Sequence, residues 1–253
     1  MFVPLHDENR LKSISFQFVT VGLIAVNALI YLLGLTGAGD AALASFALIP
    51  SELLGLAVPA GVPGIDGSVA VPEAATLISY MFFHGDIYHL VGNMLFLWVF
   101  GDNVEDAMGH ASFLVFYLAC GVFAGLAHAL VASTPLGVTL PELAALAGAE
   151  PVSSLDIPLI GASGAVAGVI AAYLMLHPRV RVWVLAFKAI PLRISAAFAL
   201  GIWIAIQFLM VLMPQSGPVA WWAHIGGLVA GAVLVIFMRR PGVPLFDRGL
   251  SPA

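Results

Sequence analysis

The sequence predicts an all-α polytopic membrane protein, a rhythm of six transmembrane helices packed as one domain over residues 1–253. Three observations carry this expectation. The chain is 61% hydrophobic and only 9% charged, with a mean hydropathy of +1.05, whereas a soluble domain carries about a quarter charged residues. Several apolar runs approach or exceed the roughly 20 residues a helix needs to cross a bilayer. All nine Lys and Arg residues are confined to three segments. Inside lipid each backbone amide must be paired within the protein, so runs of this kind default to helix.

The spans fall at about 14–35, 87–101, 111–132, 160–176, 192–213 and 218–238. The first follows Arg10 and Lys12 and precedes Ala42-Leu43-Ala44, which imitates a signal peptide and its cleavage site. The run from Ile14 to Leu35 is long for a signal, and we read it as a retained helix. The second and fourth spans are short, which is tolerated where neighbouring helices shield them from lipid. Two long loops, 36–72 and 133–158, are rich in Pro and Gly and contain no basic residue. Cys120 is the only cysteine, so no disulfide forms within the chain. No basic block interleaved with aromatics points to nucleic acid.

The basic residues set the orientation. Arg10 and Lys12 lie in the N-terminal tail, Arg179, Arg181, Lys188 and Arg193 between the fourth and fifth spans, and Arg239, Arg240 and Arg248 in the C-terminal tail. Six crossings put all three segments on one side, which the positive-inside rule makes cytoplasmic. The tails 1–13 and 239–253 are therefore expected in the cytoplasm, with a bacterial inner membrane as the expected location. The second, fourth and sixth helices then enter from the outer face. Their first turns bring His89 and Asn93, Gly161 and Ser163, and His224 to one level.

Polar groups within a membrane are costly and mark function by default. Ser163 sits in Gly161-Ala162-Ser163-Gly164-Ala165, and His224 in Ala223-His224-Ile225-Gly226-Gly227. Gly164 with Gly168, and Gly227 with Gly231, make small-xxx-small faces that let helices approach closely. A Ser–His pair needs such closeness, since its heavy atoms must come within about 2.6–3.2 Å. His224 is expected about seven residues into its helix, about 10 Å below the outer end. His89 and Asn93, four apart, share one helix face and are neutral donors suited to an oxyanion. Each segment also has a plainer reading: a packing glycine helix for Ser163, a hydrogen-bonded linker for Asn93, as for Asn27. No carboxylate lies within the fourth or sixth span, which leaves a Ser–His dyad whose imidazole is held by packing. A Ser–Lys dyad is excluded by the position of Lys188. A hydrolase elbow is excluded because position 165 is Ala and no parallel sheet is expected.

These residues resemble the rhomboid family of intramembrane proteases. The matching pieces run in order: Phe83-His84-Gly85-Asp86 into His89-Leu90-Val91-Gly92-Asn93, Gly101 with Glu105, Gly161-Ala162-Ser163-Gly164, and Ala223-His224-Ile225-Gly226-Gly227 with Gly231. The resemblance implies Ser163 as nucleophile and His224 as base. It further implies an oxyanion site from His89, Asn93 and the Gly161–Ser163 backbone, and a structural Glu105. Two features depart from some members: the first long loop has no Trp-Arg pair, and Ala167 stands where an aromatic packs on the catalytic His. Trp221 or Trp222 is expected to fill that gap. The implied activity is peptide-bond hydrolysis in or near transmembrane segments of membrane-protein substrates, with no cofactor and no metal. Two rivals are an inactive rhomboid-like protein that binds membrane clients, and a heme or metal transporter using His84, His89, His128 and His224.

Overall fold

The computed structural model describes residues 2–56, 71–137, 154–186, 190–212 and 219–247. Six long helices match the six apolar segments: α1 (Phe18–Leu33), α5 (Ile87–Met108), α6 (His110–Ala132), α7 (Ser163–Leu176), α8 (Ala196–Val211) and α9 (Trp221–Met238). Two short helices, α2 (Gly39–Phe46) and α3 (Pro50–Leu53), lie in the described part of the first long loop, and a third, α4 (Glu73–Ser79), follows it. Residues 57–70 and most of the second long loop, 138–153, lie outside the described residues, as do Lys188 and Arg248.

Among the described residues three segments are long and apolar enough to cross a membrane: Phe18–Thr36, His110–Ala132 and Trp221–Met238. Helices α7 and α8 are apolar but shorter. Helix α7 has 14 residues, or about 21 Å of rise against a core of about 30 Å. It is tolerated because it is the centre of the bundle. Gly164 through Tyr173 are all buried, and α7 packs against α5, α6 and α9. The outward faces are apolar in turn, with Leu29, Leu32 and Leu33 on α1 and Val229, Val233 and Phe237 on α9 exposed, as lipid contact requires. The protein is an integral membrane protein.

Two expectations need correcting. Helix α5 runs on to Met108 and carries Asp102, Glu105 and Asp106 in its last turns. The carboxylates are accommodated because each of the last two caps another segment. Glu105, fully buried, accepts from Val19 N at 3.0 Å and from Thr20 N and Oγ1 at 2.8 and 2.7 Å. These are first-turn groups of α1, which have no partner within their own helix, and a carboxylate there also meets the positive end of the helix dipole. Its other face meets His110 Nδ1 at 2.5 Å, across Gly109, a partner the sequence reading did not name. Asp106 accepts from the backbone of Lys12, Ser13 and Ile14 at 3.0, 2.6 and 2.7 Å. This holds residues 12–14 outside the helix and delays its start to Phe18.

The protein is also not all-α. A three-stranded antiparallel sheet of β1 (Phe2–Asp7), β2 (Arg181–Ala186) and β3 (Ile190–Ser195), in that spatial order, closes one end. Strand β2 alternates, with Val182 and Val184 buried and Arg181 exposed, as a half-buried strand of β-branched residues does. Outside the apolar layer, Arg193 pairs with Glu8 at 2.5 Å and Trp183 Nε1 donates to the same carboxylate at 3.2 Å. The C-terminal segment joins this end too: Arg240 N donates to Ala107 O at 2.8 Å, and Asp247 N to Leu176 O at 3.2 Å. The described basic residues thus gather at one end of the bundle, opposite the starts of α5, α7 and α9.

Candidate active site

Helices α7 and α9 meet backbone to backbone. A Cβ built on Gly227 would overlap Gly164 O, and one on Gly231 would overlap Gly168 O, so the two glycine faces interlock with nothing between them. Gly164 also sits under Ala223, whose carbonyl oxygen is 3.6 Å from where its Cβ would be. Ser163, one residue before Gly164, and His224, one after Ala223, therefore come to one level at the ends of their helices. Helix α9 begins at Trp221, so His224 is in its first turn and not seven residues in. Ser163 is partly accessible and His224 is buried.

His89 joins them through a special backbone turn. Asp86 caps α5 by accepting from Tyr88 N and His89 N at 2.8 and 2.9 Å, which fixes the first turn from which His89 projects. Gly161 has φ +111°, and a Cβ there would lie 2.6 Å from His89 Nε2. Glycine is required on both counts. Its N–H donates to Tyr80 O at 2.9 Å, fixing the turn that leads into Ser163. The first N–H groups of α7 have no intrahelical acceptor and sit at the positive end of its dipole. Asn93 is buried and its Nδ2 donates to His89 O at 3.0 Å, leaving one amide hydrogen over. His84 packs edge-on to His89, centroids 4.9 Å apart. Burial pushes His84 down to about 4, so its neutral Nε2 accepts from Ala162 N at 3.4 Å. His84 also lines a cavity of about 390 Å³ with Tyr31, Leu35, Phe83 and Gly85.

His224 is held by groups the motif reading did not include. Its Nδ1 faces Gln207 Oε1 of α8 at 2.8 Å. Trp221 meets its ring edge-to-face with centroids 5.8 Å apart, and Trp203 lies tilted at 6.1 Å. Trp221 was expected there; Trp203 was not. Trp203 also packs on the cluster of Ala167, Ala171 and Leu228. The small residue at 167 thus leaves room for an indole from another helix. Gln207 was legible: it is an amide in the apolar run from Ile202 to Val211, the same signal that drew attention to Asn27 and Asn93. Asn27 is not the link to a neighbouring helix that was expected: its Nδ2 donates to Leu23 O of its own helix at 2.8 Å.

A family model, the Rhomboid domain, matches residues 72–241, a stretch that contains His89, Asn93, Gly161, Ser163, Gln207 and His224. The chain belongs to the rhomboid family. It is 30% identical over 165 residues to RHOMBOID-like protein 12, mitochondrial, of Arabidopsis thaliana, covering 65% of this chain and 46% of that one. It is 27% identical over 164 residues to Rhomboid protein 1, mitochondrial, of Saccharomyces cerevisiae, covering 64% and 41%. This rhomboid chain thus spans less than half the length of either relative. Both names are mitochondrial, which gives no support to the bacterial membrane expected from the sequence.

Proposed function

We propose that this rhomboid protein is an intramembrane serine endopeptidase that crosses the membrane six times, with its basic end at the inner face. The carrying observation is the interlock of α7 and α9, which brings Ser163 and His224 to one level beside His89 and Gly161. In the proposed reaction His224 takes the proton of Ser163 as Oγ attacks the scissile carbonyl carbon. His89, the second Asn93 hydrogen and the Ser163 N–H, freed by the Gly161 turn, stabilise the oxyanion, and collapse expels the amine with the proton from His224. Water then hydrolyses the acyl-enzyme by the same steps. The Ser–His hydrogen bond itself is not formed in this structure; such bonds often tighten only when substrate is bound.

The proposed substrates are transmembrane helices that unwind near their outer end, because a helical peptide bond is shielded from attack. Among the described residues no group of three or more His, Cys, Asp or Glu is placed to hold a metal ion. The test is labelling of the detergent-solubilised chain with a fluorophosphonate, followed by mapping of the modified residue. Modification at Ser163 alone is expected. No labelling in a folded protein would leave the client-binding reading in its place.

A further inference from the structure

The two ring nitrogens of a neutral histidine are a donor and an acceptor, and which is which decides whether the ring can act as a base. At His224 the choice is made by an amide. Gln207 Nε2 donates to Trp203 O at 3.0 Å. A carbonyl oxygen only accepts, so this bond fixes the amide with its NH2 toward Trp203 and its oxygen outward. That oxygen, Oε1, lies 2.8 Å from His224 Nδ1. It too only accepts, so Nδ1 must carry the hydrogen. Nε2 is then the unprotonated nitrogen, the one with a lone pair to take a proton. Trp203 and Gln207 are i and i+4 on α8, on one helix face, so a single strip of α8 supplies both the ring's packing and its tautomer. The titratable groups acting on His224 are His89 from α5 and His128 from α6; both are histidines, so no carboxylate competes for Nδ1–H.

From this geometry we infer that Gln207 is the positioning residue of the site, holding His224 in the Nδ1–H tautomer with Nε2 directed at Ser163. The catalytic half of the inference rests on the protease reading above; the tautomer half does not. In a Ser-His-Asp triad the third group sets the tautomer in the same way and also stabilises the imidazolium. Here a neutral amide does the first and only weakly the second, which suits a buried ring, where a carboxylate would be costly to desolvate.

The test uses the full chain with 15N-labelled histidine, in detergent, as wild type, Gln207→Leu and Gln207→Glu. The His224 signals are assigned by their loss in His224→Ala. Wild type is expected to show Nδ1 protonated and Nε2 bare. Gln207→Leu, which removes the acceptor at nearly constant volume, is expected to populate the other tautomer. Its kcat is expected to fall at least about 10-fold and at most about 10⁴-fold, the cost of the wrong tautomer in a Ser-His-Asp triad, with KM within about twofold. Fluorophosphonate labelling of Ser163 should slow by the same factor. Gln207→Glu restores an acceptor and should recover kcat to within a few-fold of wild type, which a merely space-filling role would not predict. An unchanged His224 tautomer in Gln207→Leu, or unchanged kcat, overturns the inference. A tautomer change in a protein that cleaves and labels nothing supports the positioning role and overturns the protease reading alone.

Discussion

Replacing Gly161 by alanine sets a Cβ 2.6 Å from His89 Nε2 on a backbone held at φ +111°, a conformation side chains rarely adopt. Either the turn before Ser163 or the His89 ring must move. Gly161→Ala is therefore expected to lower kcat/KM at least about 10²-fold, the typical cost of losing one oxyanion donor; wild-type kcat/KM would refute the role of this turn. Asn93→Ala should fall in the same range, about 10²–10³ in rate, without unfolding the protein, since Ala is accepted within a helix. Unchanged turnover would leave Asn93 only the bond it makes to His89 O of its own helix. Glu105 makes a different kind of prediction. Glu105→Ala strands Val19 N, Thr20 N, Thr20 Oγ1 and His110 without their acceptor. Removing one partner of so buried a network costs about 3–5 kcal/mol, read as a lowered melting temperature in detergent. A melting temperature equal to wild type would show that α1 is held otherwise.

Among the helices, the interlock of α7 with α9 separates glycines that matter from glycines that do not. Gly227→Ala drives a methyl into Gly164 O, while Gly201→Ala on α8 meets nothing within 4 Å. The first is expected to destabilise by about 1–3 kcal/mol or more, as overpacking does, and to abolish cleavage by parting Ser163 from His224. The second should melt at or slightly above wild type, because Ala is the better helix former. Equal melting of the two variants would mean the helices are not seated as described. These faces were readable, since Gly164-xxx-Gly168 and Gly227-xxx-Gly231 announce close approach. The sheet was missed although Arg181 to Ala186 alternates in strand fashion: most of one partner, Ile190 to Ser195, was read as the start of the fifth apolar span, and the other, Phe2 to Asp7, is remote in sequence. The length of α5 was misjudged for a related reason. Asp102, Glu105 and Asp106 look like a helix end until the backbone groups that the last two cap, on α1 and the segment before it, are in view.

At the scale of the molecule, the described basic residues gather where the sheet, Ala107 and the C-terminal segment meet, and the candidate site lies at the other end. A reporter inserted near Ile190 and another fused after Ala253 should therefore report the same side, and one near Gly64 the opposite side. Gly64 and Ala253 on one side would break the six-crossing arrangement. Ser163 and His224, the proposed nucleophile and base, and the order of the helices that carry them could be singled out in the sequence, because each is a reactive group beside glycines in an apolar run. The support of His224 was overlooked: Gln207 carried a signal, an amide in an apolar run, but its partner shows only once α9 lies against α8. The central claim is that Ser163 and His224 work as one unit, and cleavage of a transmembrane substrate in detergent with chelator tests it most directly. Members of such a unit are grossly non-additive. Ser163→Ala and His224→Ala should each abolish cleavage while melting within a few degrees of wild type, and the double variant should be no worse than either. A folded Ser163→Ala protein that still cleaves would contradict the account.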